Sequence, residues 1–280
     1  MSRLFSLDPA MPVLLRPDGA VQVGWDPRRA VLVRPPDGLS ATALAAVLRA
    51  MQVPLRIGQL HRLADGHGLR DTAGFDDLLT ALVSAGVVRD RTGAPSARAL
   101  SIRVHGCGPL SDLLLEALRC SGARVEHTSH ANAGPTGSGV DLVVLSDYLV
   151  ADPRLVRELQ AAGVPHLPVR VRDGAGLVGP LVIPGVTSCL ACGDLHRTDR
   201  DAAWPAVAAQ LRDVIGSADR PTVLATAALA LGQLQRIITA VRGPEWAGAP
   251  PATLNTTLEI DVNSHSIMTR RWSRHPRCEC

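Results

Sequence analysis

Four of the six cysteines fall in two close pairs, Cys189-Leu-Ala-Cys192 in mid-chain and Cys278-Glu-Cys280 at the end. A Cys-x-x-Cys turn aims two thiolates at one point, and a second pair can complete a closed tetrahedral zinc site with four cysteine ligands. Such a centre carries a net charge of about −2, and Arg270, Arg271, Arg274 and Arg277 flank the second pair. His196 and His275 stand close enough in sequence to replace a ligand, although four thiols need no substitute. Nothing implies an open coordination position, so the zinc is expected to be structural. Two other assignments stay open for the same residues: a redox dithiol in one of the pairs, or plain core cysteines.

A second pattern is Gly106-Cys107-Gly108, after a strand and before a helix, with Glu126 near the end of the next strand. The order is that of a dinucleotide-binding turn. Ser111 stands where a third glycine would let helix and strand approach, and Pro109 removes a backbone N–H from the group that should face phosphates. Gly106 and Gly108 are therefore read as relics of a strand-to-helix turn, and ATP is not expected to bind. Cys107 sits at a helix start, where a thiol can be activated, but no His or acid partner stands at a fitting spacing. Cys120 is assigned to packing. Asp141 and Asp147 bracket a buried strand, where they could bind magnesium or simply end the strand. The polar run Asp194, His196, Asp199, Arg200 and Asp201 reads as a solvated loop.

Composition narrows the field. The chain has 280 residues, 46% hydrophobic and 20% charged, with a formal net charge of +3. All 29 of its basic Lys/Arg positions are arginine. That excludes mechanisms that need an ε-amine, such as a P-loop NTPase or a Schiff-base enzyme. The modest, dispersed charge gives no basic face for nucleic acid. No uninterrupted apolar run reaches the eighteen or so residues of a membrane span, the longest candidate being residues 223–231, and the start MSRLFSLDPAMP lacks a signal peptide's apolar core. A cytoplasmic location is expected, where cysteines are more often ligands than disulfides.

The elements that must position these residues fall into two groups. In the first, residues 12–16, 20–25 and 30–34 read as strands separated by turn signals, including Pro17-Asp18-Gly19. Three helical patterns follow: one from the N-cap Ser40 to about Met51, one over 56–64, and one capped by Thr72 with Phe75, Leu78, Leu79 and Leu82 as its apolar stripe. Residues 91–97 read as a linker. From about Leu100 strands and helices alternate: 101–105, 110–120, 124–127, a loop of small residues over 128–139, then 141–145, 153–162 and 165–171. This is the βαβ rhythm of a parallel sheet. Residues 177–183 suit an antiparallel addition, 202–214 and 222–241 are helical, and 253–262 with 266–272 form a terminal hairpin. The predicted class is α/β: a Rossmann-type, mostly parallel sheet with a C-terminal antiparallel hairpin and a four-cysteine zinc site (99–280), preceded by a winged-helix α+β domain (1–92).

The glycine turn, the strand DLVVLSD, the stretch GPLVIPGVTSCLACGDLHRTDRDAAWPAVAAQL and the terminal cysteine pair together resemble the ThiF/MoeB-type fold of ubiquitin-activating enzymes. Within it they resemble the ThiF-like cyclodehydratase partner, or leader-peptide-binding, branch of azoline peptide biosynthesis. The resemblance covers about Leu100 to Cys280. It implies a zinc site at Cys189, Cys192, Cys278 and Cys280, and a preceding PqqD-like module that captures a precursor's leader peptide as an added strand. It further implies an adaptor role towards a YcaO-type enzyme that converts Cys, Ser or Thr into azolines. Asp147 matches the magnesium aspartate of active relatives, but the lysine and arginine those enzymes need after the second strand are missing from HTSHANAGPTGSG. By β-augmentation, Val31, Leu32 and Val33 with Phe75, Leu78 and Leu82 are the expected peptide groove, with plain core the alternative for the inward-facing ones.

Two further functions remain as alternatives. One is an ATP-dependent adenylating enzyme acting on a carrier protein. The other is a winged-helix DNA-binding regulator using Arg28, Arg29 and Arg34, opposed by Asp76 and Asp77 on the third helix. The apolar helix at 222–241 suits either a homodimer contact or burial within one subunit.

Overall fold

The chain folds as two units, Met1–Pro95 and Ser96–Cys280, in a computed structural model that describes residues 3–92, 99–129, 139–242 and 250–280. The first unit runs β1 (Arg3–Leu7), β2 (Val13–Leu15), β3 (Val21–Val23), β4 (Val31–Val33), α1 (Ala41–Ala50), β5 (Leu55–Arg56), α2 (Ile57–Gly66), α3 (Thr72–Ser84) and β6 (Val88–Thr92). The three expected strands form one antiparallel sheet, β2-β3-β4, with β4 at its end. Ser40 caps α1 by accepting from the Ala43 N–H at 3.1 Å. The core joins Phe5, Val21, Val23, Leu44, Leu48, Leu60, Phe75 and Leu82.

Two local expectations fail here. The N-cap of α3 is Asp71, whose Oδ1 accepts from the Gly74 N–H at 2.8 Å, and Thr72 is the first helical residue. A second sheet, β5-β1-β6, was not expected. It pairs Leu4 with Arg91 and Phe5 with Asp90, and a partner that distant leaves no local period in either segment. The predicted linker at 91–97 and the predicted loop at 128–139 lie, apart from their end residues, outside the described residues.

The second unit contains β7 (Ser101–His105), α4 (Pro109–Arg119), β8 (Arg124–Thr128), β9 (Leu142–Ser146), α5 (Pro153–Ala161), β10 (His166–Arg172) and β11 (Ala175–Val178). It continues with α6 (Leu190–Arg200), α7 (Trp204–Leu211), α8 (Arg220–Arg242), β12 (Thr256–Asp261) and β13 (Ser266–Arg271). Its seven strands lie in the order β13-β12-β11-β10-β9-β7-β8. The four from β10 to β8 are parallel and the three from β11 to β13 are added antiparallel. This is a mixed α/β unit with a Rossmann-like parallel half.

Side-chain alternation builds the layers. On β9, Leu142 and Val144 join one core with α4 and α8, while Val143 and Leu145 join another with α5 and the start of α6. A strand covered on both faces reads as an unbroken apolar run, as LVVL does. On β10, Leu167, Val169 and Val171 enter the α4–α8 core, which sends His166, Pro168, Arg170 and Arg172 to the opposite face. Although α8 lacks an unbroken apolar run, it is long and apolar enough by composition to cross a membrane. Val223, Ala227, Ala230, Leu234 and Ile238 on one of its faces close the core of this unit.

His166 has no exposed surface, and its Nδ1 lies 3.1 Å from the Val164 carbonyl. Among the described residues its Nε2 has no partner. Burial holds its pKa below the ordinary 6.5, so the native ring resists protonation while the unfolded ring accepts a proton. Stability is therefore lost as pH falls from about 6.5 towards the depressed native value. Urea midpoints measured across that window should decline, and His166→Leu should flatten the decline.

Candidate functional site

The two cysteine pairs meet. Cys189 is the N-cap of α6 and Cys192 lies in its first turn, while Cys278 and Cys280 arrive on the tail beyond β13. Sγ separations are 3.7 Å for Cys189–Cys192, 3.6 Å for Cys189–Cys278 and 3.4 Å for Cys192–Cys280, and all four sulfurs lie within 4.8 Å of one another. A tetrahedron with zinc–sulfur bonds of about 2.3 Å has edges of about 3.8 Å, so the four sulfurs fit one metal ion.

The tail is fixed to α6 by more than sulfur. The buried His275 places Nε2 2.7 Å from Asp199 Oδ2, and Arg277 pairs with the other oxygen of the same carboxylate. The hydrogen bond from His275, then the Arg277 charge, hold Asp199 below the usual carboxylate range. His196 stacks edge-on against His275 with ring centres 4.6 Å apart. Trp272 packs against the cluster containing Cys189, Leu190 and Cys192. The polar run at 194–201, expected as a solvated loop, is thus the greater part of a helix. Its period was hidden because its exposed positions carry charge and its contacts lie about eighty residues away. The arginines near the tail are engaged elsewhere: Arg270 with Glu259 at 2.6 Å, and Arg274 with the Gly185 carbonyl at 2.6 Å.

Electrostatics within the cluster point the same way. Burial pushes the Cys189 thiol well up. At Cys192 burial also pushes upward, but main-chain hydrogen bonds from His275 and Cys189 and the thiols of the tail outweigh it and bring the thiol to about 7. Four thiolates at these distances require a multivalent cation between them.

The glycine turn has a different occupant from the one its pattern suggests. It sits at the carboxyl ends of β7 and β9, where strand order reverses and open α/β sheets place their ligands. There Asp147, nearly unexposed and with φ 70°, accepts from the Leu110 N–H at 3.0 Å and the Ser111 N–H at 3.1 Å. The Ser111 hydroxyl binds the same carboxylate and lies 2.9 Å from Ser146 Oγ. The orphan N–H groups at the start of α4, which would face a phosphate, are taken by the chain's own carboxylate. Gly108 is glycine because a Cβ there would meet Asp147 Oδ1 at 2.7 Å, and at Gly106 it would meet Ser111 Oγ at 2.6 Å. Ser111, read from sequence only as a missing glycine, is a working donor. Asp141 instead anchors a strand start, accepting from the Ser101 N–H at 2.8 Å.

The predicted peptide-groove residues divide. Val31, Leu32 and Val33 form β4, whose other edge has no strand partner among the described residues. Leu32 is 56% exposed, Val31 is partly buried and Val33 faces the core. Phe75 and Leu82 are wholly buried, so they hold α3 in place and offer no groove surface, and Leu78 packs at the core's margin. The correction follows from helix geometry: a stripe at spacings of three and four faces inward.

Neither a protein-family profile nor a curated protein matches the chain. Solved structures do match at the level of fold. The heterocyclase TruD aligns over 99% of this chain with a TM-score of 0.65 and 17% identity. A heterocyclase in complex with substrate and cofactor gives 0.65 and 16% over 99%. The chain spans 42% and 39% of those two heterocyclase chains. MccB of E. coli with ATP gives 0.56 and 12% over 99% of both chains, and the microcin C7 biosynthetic enzyme MccB with N-formylated MccA gives 0.55 at 12% over the same shares. The chain therefore shares the fold of these biosynthetic proteins across nearly its whole length.

Proposed function

We propose that the chain is a zinc-stapled, non-catalytic adaptor that captures the leader of a ribosomal precursor peptide and presents it to a YcaO-type cyclodehydratase for azoline formation. The observation that carries this reading is the edge of β4 in the first unit, which has no strand partner among the described residues. An extended peptide laid along it as a fourth strand gains main-chain hydrogen bonds, and Leu32 gives it apolar contact. On this reading residues 1–92 are a winged-helix, PqqD-like capture unit, and residues 99–280 are a ThiF-like zinc-binding unit. Proteins of similar fold in complex with a substrate or with N-formylated MccA support a peptide partner. The match occupies about two fifths of the heterocyclase chains, and on this reading the ring-forming chemistry belongs to the YcaO-type partner.

Zinc would be held by Cys189, Cys192, Cys278 and Cys280. With four thiolate ligands it supplies a cross-link rather than a reactive position. Adenylation fits less well. The chain has no lysine for the phosphates, and Asp147, the residue matched to the magnesium ligand of active relatives, is bound to Leu110 and Ser111.

Three measurements test this proposal. Fluorescence anisotropy with labelled peptides from short reading frames flanking the gene should detect binding, and Leu32→Asp should weaken it about tenfold or more without lowering Tm. Failure of every such peptide to bind would remove the adaptor role. Metal analysis should find about one zinc per chain, and Cys189→Ser should lose it together with several kcal/mol of stability. ATP–pyrophosphate exchange with magnesium present should stay at background, and measurable exchange would favour the adenylating alternative.

A further inference from the structure

On the α5 side of the sheet, beyond the glycine turn, lies a cavity of about 470 Å3. Its floor is the polar face of β10, Arg170 and Arg172, and its walls come from α5, α6, α7 and Trp272. No residue of the turn 106–111 and no part of Asp147 lines it. Leu149, Val150 and Leu211 make one wall apolar, while Trp204 and Trp272 supply aromatic surface.

The charges do not balance. Arg157, Arg170, Arg172 and Arg197 line the cavity against only Asp173 and Asp194. Asp194 is committed, with Oδ1 2.9 Å from Arg197 and accepting from the Trp204 indole N–H at 3.1 Å. Arg197 lies over the rings of Trp204 and Trp272 at 5.0 and 5.5 Å. Arg172 faces Asp173 at 3.6 Å and Glu259 at 3.8 Å. Arg170 is left without a hydrogen bond or ion pair among the described residues. Burial first, then repulsion from Arg197 and Arg172, push its guanidinium down to about 10, so it stays charged at neutral pH. Arg170 is partly buried and has Asp194 as an opposing charge, but that carboxylate already serves Arg197 and Trp204, so the Arg170 guanidinium keeps donors to spare for a ligand.

We infer that this cavity is a binding site for an organic anion, one carboxylate or phosphate carried on an apolar or aromatic body. Arg170 grips the anionic group as a two-pronged donor, and Trp204, Trp272 and Leu211 hold the body. The volume suits a small molecule or one side chain with its flanking backbone. This inference does not rest on peptide capture by the first unit.

Titration calorimetry on the full chain with 3-phenylpropionate and with phenyl phosphate, against neutral 3-phenylpropionamide, tests the site. Saturable binding of either acid but not of the amide is expected, and which acid binds more tightly distinguishes a carboxylate from a phosphate ligand. Arg170→Met should lose about ten- to a hundredfold in affinity while melting no lower than the parent protein. The proposal is overturned if neither acid binds at millimolar concentration, if the amide binds as well, or if Arg170→Met binds equally. The comparison of acid with amide on the parent chain decides the matter even if the variant fails to fold.

Discussion

Four sulfurs crowded to 3.4–3.7 Å along three edges set the constraint on which the second unit depends. Thiols so close cannot all ionise unless a cation sits among them, and once it does, chain segments 88 and 89 residues apart are joined at one point. The entropy of closing a loop rises only slowly with its length, so a distant tail is an efficient anchor. The joint fixes the first turn of α6, and through α6 it sets the helices that roof the polar face of β10. Asp199, His275 and Arg277 add a second tie about two turns beyond Cys192 along α6.

Strand alternation does the rest. Because successive residues face opposite ways, β10 can give three branched or aliphatic side chains to the α8 core while turning two arginines to the α5 side. The same rule makes β9 apolar on both faces. The sheet thus separates a dry layer under α4 and α8 from a layer where charge, indole rings and the sulfur centre are neighbours. The chemistry of this unit is concentrated on the second side.

Local patterns revealed much of this. The βαβ rhythm from Ser101 to Val171 places its strands and helices within a few residues, since each element carries its own period and turn residues. The cysteine pairs were legible because ligand spacing is itself a local signal. What escaped depends on partners far away in sequence. β1 has its main partner in β6, more than eighty residues on, so neither segment looks like a strand alone. α6 buries only Leu190, Cys192 and Gly193 near its start, and its later turns are polar, with an exposed carboxylate, Asp199, tied to the tail. Ser111 looked like a defect in a glycine motif, and only the position of Asp147, 36 residues later, shows it to be half of a buried hydrogen-bonded pair. Phe75 and Leu82 were legible as an apolar stripe, but pattern alone cannot say whether a stripe faces the interior or a ligand.

Asp147 has one more consequence. A phosphate at a helix start must be recruited from solution, so a turn that depends on one is filled only in proportion to the ligand's concentration. A carboxylate carried by the neighbouring strand is always present at a fixed and very high effective concentration. The start of α4 is therefore held by a group of its own chain, with no solute needed to satisfy its first N–H donors.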